Sequence, residues 1–236
     1  MKEEKPTVVF IPGTLLSPAI FRRLRIPLGF EPFFSRWMVE PGSHDVRKVG
    51  RRIAEMIEQE NMGPVILAGH SSGGSIAMLA YLACQDKARI KGMILSNTGP
   101  NNHGHSNQKT RQELIESWNR KELDLFIRKC FVKPLEEDLY EELMEYGGKV
   151  SAEVRVEPLM SQREIDLTDR LKEIKCPVII AHGKLDTIRT LQHAEQLKRE
   201  IPDAAVVLLD AGHTPMYEAS EDYQKVLDEM CCRALE

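Results

Sequence analysis

A serine at the apex of a turn between two glycines is the first feature of this chain that suggests chemistry. Ser71 lies in the segment GHSSG, residues 69–73, between an apolar run at 64–68 and a helix-forming run at 74–80. Such a strand, turn and helix strain the backbone of the apical residue, so its neighbours two positions away must be small. The turn lifts the hydroxyl clear of the sheet, beside the positive end of the helix. Ser71 is therefore a candidate nucleophile.

A serine hydroxyl needs a histidine that accepts its proton and a carboxylate that orients this histidine. Two apolar runs, 178–181 and 205–209, are typical of buried parallel strands. Asp186 follows the first run and His213 follows the second. Because active sites of open parallel sheets form beyond the carboxyl ends of the strands, the three side chains are expected to meet there. The sequence predicts a triad of nucleophile Ser71, acid Asp186 and base His213.

The elements that must position these residues alternate along the chain. Strands are predicted at 8–11, 37–40, 64–68, 90–96, 178–181 and 205–209, which makes six parallel strands. Helices are predicted at 18–24, 45–61, after the Ser71 turn, at 191–200 and at 220–235. His70, inside the turn, is expected to pack or to hydrogen-bond locally rather than to act as the base.

With these motifs in place, the sequence resembles the α/β-hydrolase fold superfamily over nearly the whole chain. The chain order serine, aspartate, histidine matches that family, and Glu218 follows His213 by five positions, as in the family's last active-site loop. The resemblance implies a serine-nucleophile, cap-bearing member similar to esterases and lactonases. It also implies the spatial strand order second, first, third, fourth, fifth, sixth. The usual N-terminal antiparallel hairpin is expected to be missing.

The turn after the first strand, PGTL at residues 12–15, resembles the place where the family often has a His-Gly pair and an oxyanion-hole donor. Here a proline replaces the histidine. Because the donor is a backbone group, the resemblance implies that the N–H of Thr14 or Leu15 acts together with the N–H of Ser72. Thr14 and Leu15 stay open as alternatives.

Residues 98–175 interrupt the alternation with charged, aromatic and helix-forming sequence. Helical periodicity covers 112–119, 121–130 and 135–146, and a further helix is expected to return the chain to Pro177. By resemblance this segment is a helical cap inserted after the fourth strand, on a core of residues 1–97 and 176–236 that makes a single domain overall. Apolar cap residues either line a substrate pocket or pack the cap's own core. The candidate pocket residues are Trp118, Phe126, Phe131 and Met160.

Composition excludes several classes of function. The net charge is −4 over 236 residues, which argues against nucleic acid and anionic membranes as partners. Neither a signal sequence nor an 18-residue apolar span is found, and the five cysteines lack metal-ligand spacing. A cytoplasmic protein with reduced thiols is expected. His103 and His105 lack a third ligand, so neither metal nor cofactor is predicted.

The leading hypothesis is a hydrolase of a small or medium carboxylic ester, lactone or thioester, with a small-molecule acyl substrate. A first alternative uses the same triad for carbon–carbon bond hydrolysis, elimination or perhydrolysis. A second is a thioesterase that docks a carrier protein on the basic cluster Arg22, Arg23 and Arg25. A third is a ligand receptor that keeps the triad and hardly turns over.

Overall fold

The computed structural model describes residues 5–60, 62–103 and 109–235 of the 236-residue chain. An all-parallel sheet of six strands forms its centre. The strands are β1 (Thr7–Ile11), β2 (Glu31–Phe34), β3 (Val65–His70), β4 (Ile90–Ser96), β5 (Val178–Gly183) and β6 (Ala204–Leu209). Their spatial order is β2-β1-β3-β4-β5-β6, so the predicted strand number and order are confirmed.

The register of the central strands brings their carboxyl ends to one edge of the sheet. β1, β3 and β5 are buried along their whole length, which is why each is a continuous apolar run. His70 at the end of β3 pairs with Ser96 at the end of β4, and Ser96 pairs with Ala181 of β5. The residues that follow these strands therefore come close together.

The position predicted for the second strand, 37–40, is wrong. β2 is the mostly exposed segment Glu31–Phe34, an edge strand in which Pro32 is tolerated. Trp37 and Met38 lie after it in a turn and are buried, and the Trp37 indole N–H donates to the Pro12 carbonyl oxygen at 2.9 Å. The apolar residues at 37–38 thus marked burial rather than a strand.

Helices surround the sheet and fill the connection between β4 and β5. They are α1 (Val46–Gln59), α2 (Ser72–Ala83), α3 (Arg111–Glu116), α4 (Arg120–Lys129), α5 (Glu137–Gly148), α6 (Ala152–Glu164), α7 (Leu191–Glu200), α8 (Pro215–Glu218) and α9 (Ser220–Ala234). Asp45 caps α1 by accepting the Arg47 N–H, as its N-terminal position favours. The helix predicted at 18–24 is a shorter 3₁₀ helix, Pro18–Phe21.

α3 to α6 form the segment between β4 and β5, here called the inserted helices. The patterns at 112–119, 121–130 and 135–146 correspond to α3, α4 and α5. The sequence analysis missed α6, because Pro158 inside it weakens the helical signal. The return to β5 is a 3₁₀ helix, Thr168–Glu173, rather than an α-helix.

In the part of the chain that the structure describes, no helix combines the length and the apolar character that crossing a bilayer requires.

Candidate active site

Ser71 occupies the sharp turn between β3 and α2. Its φ of 54° and ψ of −120° lie in a sparsely populated region for a non-glycine residue, and its N–H donates to the Ser96 carbonyl oxygen at 2.9 Å. A Cβ at Gly69 would lie 2.4 Å from the Gly73 oxygen, and a Cβ at Gly73 would lie 2.0 Å from the Ile11 oxygen. Both positions therefore exclude any larger residue, as the strained turn predicts.

Asp186 and His213 meet at the ends of β5 and β6. Asp186 Oδ2 lies 2.8 Å from His213 Nδ1, and the exposed fractions of the two side chains are 0% and 3%. Because an ionised carboxylate can only accept, this contact assigns the imidazole proton to Nδ1 and leaves Nε2 as a proton acceptor. Burial alone would raise the pKa of Asp186. Hydrogen bonds, first of all from His213, outweigh it and hold that pKa well below its ordinary value.

Asn97, which the sequence analysis did not single out, is a further partner of Asp186. This buried residue directly after β4 has a positive φ of 47°. Its side-chain amide donates to Asp186 Oδ2 at 2.5 Å and to the Gly212 oxygen at 3.2 Å. The backbone N–H groups of Ile188 and Arg189 donate to Asp186 Oδ1 at 2.7 and 3.1 Å. The carboxylate is thus fixed from several sides.

His70 supports the loop that carries His213. Its ring is fully buried, and its Nε2–H donates to the His213 carbonyl oxygen at 2.7 Å. Burial lowers the pKa of His70 to about 3, so the ring is neutral near pH 7. The prediction that His70 does not serve as a base stays a prediction, but its partner lies 143 positions away rather than within the turn.

Glu218 in α8 ties the same loop to the inserted helices. One carboxylate oxygen accepts the Gly212 N–H at 2.9 Å, and the other accepts the N–H groups of Val132 and Lys133, both at 2.8 Å. Its position five residues after His213 was visible in the sequence. The partners in the α4–α5 connection were not, since no local pattern links them to Glu218.

The turn after β1 places Thr14 against Ser72, the first residue of α2. The Thr14 N–H donates to Ser72 Oγ at 2.7 Å, and the two hydroxyl oxygens lie 2.9 Å apart. Leu15 next to it has a positive φ of 64° and is buried. Among the described groups, no acceptor of the Leu15 N–H is found.

A cavity of about 230 Å³ opens between this edge of the sheet and the inserted helices, and its lining includes Ser71, His213 and Thr14. Of the four candidate pocket residues, Phe126 lines it. Trp118 lies in a separate depression of the inserted helices, and its indole N–H donates to the Val150 oxygen at 3.2 Å.

The other two candidate pocket residues also have contacts elsewhere. Phe131 packs edge-on against Tyr217 with ring centroids 6.0 Å apart. Met160 Sδ lies 3.4 Å from Arg163 Nη1, and Met160 is not part of the cavity lining. Helical periodicity marks the buried face of a helix, but it does not tell a cavity from the packing between neighbouring helices.

The basic cluster near the N-terminus is engaged within the molecule. Arg22 pairs with Asp138 at 2.8 Å and Arg23 with Glu136 at 2.6 Å, and the Arg23 guanidinium lies 3.8 Å from the Tyr217 ring centroid. No group of three or more metal-ligating side chains is found within residues 5–60, 62–103 and 109–235. His105 lies outside the described residues.

Comparison with known proteins places this geometry in context. A sequence profile of the alpha/beta hydrolase family matches residues 8–228. The AB hydrolase superfamily protein YisY of Bacillus subtilis is 28% identical over 173 residues, 69% of this chain but 64% of that protein, so the match spans less than two thirds of the relative.

Two solved structures are similar across their length. The esterase EaEST of Exiguobacterium antarcticum has a TM-score of 0.81 at 20% identity, covering 95% of this chain and 91% of that one. The enol-lactonase of Burkholderia xenovorans has a TM-score of 0.81 at 16% identity, with 97% and 92% covered. At such identities the likeness shows the fold, whereas the profile match extends over most of the chain. The chain therefore belongs to the alpha/beta hydrolase family.

Proposed function

We propose that this chain is a serine hydrolase that cleaves a small or medium carboxylic ester, lactone or thioester through an acyl-enzyme on Ser71. The observation that carries the proposal is the 2.8 Å hydrogen bond between His213 Nδ1 and the inaccessible Asp186 carboxylate, since His213 lines the same cavity as Ser71. An imidazole that is held in this tautomer and lines the same cavity as a strained serine is suited to general-base catalysis.

In the proposed reaction, Ser71 Oγ attacks the carbonyl carbon while His213 Nε2 accepts the hydroxyl proton. The imidazolium then protonates the leaving oxygen or sulfur, whose bond to the acyl carbon breaks, and the acyl group stays on Ser71. Water attacks this ester, and His213 accepts its proton and returns one to Ser71 Oγ as the acid leaves. Asp186 stays ionised throughout and stabilises the imidazolium. None of these steps requires a cofactor.

The oxyanion of each tetrahedral intermediate is expected to accept the N–H of Ser72 and that of Thr14 or Leu15. Such a donor contributes about 3–4 kcal/mol to transition-state stabilisation. Use of Thr14 requires the Ser72 hydroxyl to move away from the Thr14 N–H, to which it is bound at 2.7 Å. Use of Leu15 requires no such exchange.

The inserted helices act in this proposal as a cap. Phe126 of α4 and Leu159 of α6 line the same cavity as Ser71 and His213, and in this proposal their side chains form an apolar wall for an acyl chain. A cap that excludes water strengthens the electrostatic interactions at the reacting carbonyl. The division into a core of 1–97 and 176–236 and a cap of 98–175 belongs to this proposal.

The alternatives remain predictions of the sequence. Carbon–carbon bond hydrolysis, elimination, perhydrolysis and a non-turnover receptor would use the same residues, so geometry does not separate them from ester hydrolysis. The carrier-protein thioesterase draws no support from Arg22 and Arg23, because their guanidinium groups are paired with acidic side chains of the same chain. A cytoplasmic location, and the exclusion of nucleic acid and membranes as partners, likewise stay predictions.

The test combines covalent labelling with turnover. Wild-type protein is treated with a fluorophosphonate probe and assayed on p-nitrophenyl acetate, butyrate and octanoate, beside Ser71→Ala and His213→Ala. Ser220→Ala, at the start of α9 and outside the cavity lining, is the matched control. Labelling and turnover should vanish in the first two variants and persist in the control. A folded wild type that neither labels nor turns over would contradict the proposal and favour the receptor.

A further inference from the structure

Arg189 is a buried cation that lines the candidate active-site cavity. The residue is 3% exposed, and its guanidinium donates to the Asn101 carbonyl oxygen at 2.9 Å and to the side-chain oxygen of Asn102. Both partners are neutral. A guanidinium has five N–H donors, so these two bonds orient the group and leave donors for a further acceptor.

A buried arginine without a carboxylate partner is unusual, because burial of an unpaired charge is costly. Burial lowers the pKa of Arg189 to about 10, and the nearby negative charge of Asp186 offsets part of this effect. Among the described residues, no acidic side chain lies within 4.0 Å of the guanidinium, and the segment that follows Asn102 and His103, GHSNQ at residues 104–108, contains no acidic residue. Among the described residues, the guanidinium is therefore not in direct contact with a counter-ion.

Three further polar side chains of the lining, those of Arg163, Gln162 and Asn102, offer hydrogen-bond donors. Half-buried Arg163 lines it and donates to the Lys109 carbonyl oxygen at 2.7 Å, again a neutral partner. Gln162 also lines it, is 8% exposed, and has an Nε2 without an acceptor among the described groups. The Asn102 side-chain oxygen is occupied by Arg189, which leaves its NH₂ group as a donor.

Negative charge is scarce around the same space. None of the described residues that line the cavity is Asp or Glu. Two carboxylates contact lining residues from outside the lining: Asp166 lies 3.6 Å from the imidazole of His103, and Asp186 is hydrogen-bonded to His213.

Within the described part of the chain, the cavity thus combines a hydrogen-bond donor without an acceptor, Gln162 Nε2, with two arginines, Arg163 and Arg189, that are not in direct contact with a carboxylate. An anionic ligand would supply both the acceptor and the negative charge.

We propose that Arg189, Arg163, Gln162 and Asn102, here called the donor wall, bind a carboxylate of the substrate. The substrate would be a small ester, thioester or lactone with a free carboxylate away from the scissile carbonyl. A planar guanidinium fork matches a carboxylate in two parallel hydrogen bonds, which gives orientation as well as affinity. This inference rests on the proposed function, because it deepens the substrate class of the same site.

The first test uses wild-type protein and two esters of equal chain length. Monomethyl glutarate and methyl valerate differ by a terminal carboxylate, and acid release from each is followed by pH-stat. We expect kcat/KM to be about 10- to 100-fold higher for monomethyl glutarate, because hydrogen bonds between charged groups contribute a binding free energy of that order. Glutarate should inhibit competitively, whereas neutral glutaramide and inorganic phosphate should not.

Arg189→Met and Arg189→Lys then test whether the planar guanidinium of Arg189 binds the carboxylate. The glutarate-to-valerate ratio should fall by about 10- to 100-fold in Arg189→Met and by less in Arg189→Lys, which keeps the charge but not the fork. Arg199→Met, an exposed arginine paired with Glu200 on α7, is the control that leaves both rates unchanged. Fluorophosphonate labelling of Ser71 verifies that each variant keeps its active site.

The outcomes separate the two proposals. Equal rates on both esters, without inhibition by glutarate, would contradict the proposal that the donor wall binds a carboxylate, and the serine-hydrolase proposal would be unaffected. Inhibition by phosphate but not by glutarate also overturns the carboxylate assignment. If wild-type protein neither labels nor hydrolyses either ester, glutarate binding to Ser71→Ala is measured by calorimetry. If glutarate binds and Arg189→Met abolishes the binding, the carboxylate-binding role of the donor wall is supported although the esterase proposal fails. If glutarate does not bind, that role is contradicted.

Discussion

The two walls of the cavity are held in place by different forces. On the sheet side, the turn that carries Ser71 and the loop that carries His213 are fixed by backbone hydrogen bonds and by a carboxylate that accepts several donors. On the helical side, the lining residues Phe126 and Leu159 have apolar side chains that form no hydrogen bonds, and Arg163 donates to the carbonyl oxygen of Lys109. The sheet side therefore suits a reaction that needs fixed atoms, and the helical side suits selection among substrates.

This difference predicts that changes on the sheet side act on kcat and changes on the helical side act on KM. A residue in the sheet-side network positions the reacting groups in the transition state, so its loss should not be rescued by higher substrate concentration. A helical-side residue contacts the unreactive part of a substrate equally in both states. Glu218 is informative because it binds both sides.

Asp186→Asn should have the largest effect and break the sheet-side network. Asp186 Oδ2 accepts from His213 and Asn97, and Oδ1 accepts from the N–H groups of Ile188 and Arg189. In either orientation, the NH₂ group of an asparagine would therefore face N–H donors instead of acceptors. If the NH₂ faces His213, the imidazole proton moves to Nε2 and the base is lost. We expect kcat on p-nitrophenyl butyrate to fall by about 10⁴-fold at nearly unchanged KM.

Asp210→Asn is the control for this change, because Asp210 follows β6 in the same loop with a largely exposed side chain. Its kcat should stay within about twofold of wild type, as is usual for surface substitutions. An Asp186→Asn variant that is folded and keeps more than a tenth of the wild-type kcat would remove Asp186 from the proposed mechanism.

The same contrast explains what could be predicted from sequence. The Ser71 turn was predictable because strain and close approach at Gly69 and Gly73 restrict local residue types, and the parallel strands because burial on both faces makes continuous apolar runs. β2 was misplaced because an exposed edge strand has no such pattern. Asn97 and Arg189 escaped notice, since their roles depend on partners distant in sequence.

Glu218→Gln should have the next largest effect, because it loosens the contact between the two sides. A glutamine keeps one acceptor oxygen, so its NH₂ must face either the Gly212 N–H or those of Val132 and Lys133. The free energy of unfolding should fall by about 2 kcal/mol, since hydrogen bonds to a charged group contribute about that much. We expect kcat to fall by roughly tenfold.

Urea unfolding and kinetics on p-nitrophenyl butyrate measure both quantities, with Glu221→Gln at the exposed start of α9 as control. A Glu218→Gln variant that loses stability but keeps the wild-type kcat would show that Glu218 holds the inserted helices without positioning His213. The link between the two sides would then be structural only.

His70→Gln should reveal a smaller, pH-dependent contribution of the sheet side. The pKa of His70 is lowered to about 3 in the folded state, against about 6.5 in an unfolded chain. Below pH 6.5 the unfolded state therefore binds the proton and the folded state does not, so stability is lost as pH falls toward 3. Between pH 7 and pH 5 this costs wild-type protein on the order of 2 kcal/mol.

Urea unfolding of wild type and His70→Gln at pH 7 and pH 5 isolates the contribution of His70 to the pH dependence of stability, because all other titrating groups are common to both proteins. The variant should be less stable at pH 7 and should lose less stability on acidification. Parallel losses in the two proteins would mean that the His70 ring is accessible to protons in the folded state.

Phe126→Ala should give the smallest effect and confine it to the helical side. Phe126 lines the cavity. Trp118, in the connection between α3 and α4, lies outside the lining, and its ring centroid lies 4.3 Å from the Arg155 guanidinium. Loss of the Phe126 ring removes apolar contact from a butyryl chain but hardly from an acetyl group. The KM for p-nitrophenyl butyrate should rise about three- to tenfold relative to that for acetate, with kcat nearly constant.

Trp118→Ala is the control. It should lower the melting temperature and leave the ratio of the KM values for butyrate and acetate unchanged, because the Trp118 indole supports the inserted helices rather than the substrate. If Trp118→Ala shifted that ratio as much as Phe126→Ala, substrate selection would depend on how the inserted helices are positioned as a group. Individual contacts such as that of Phe126 would then not determine the preference for butyrate.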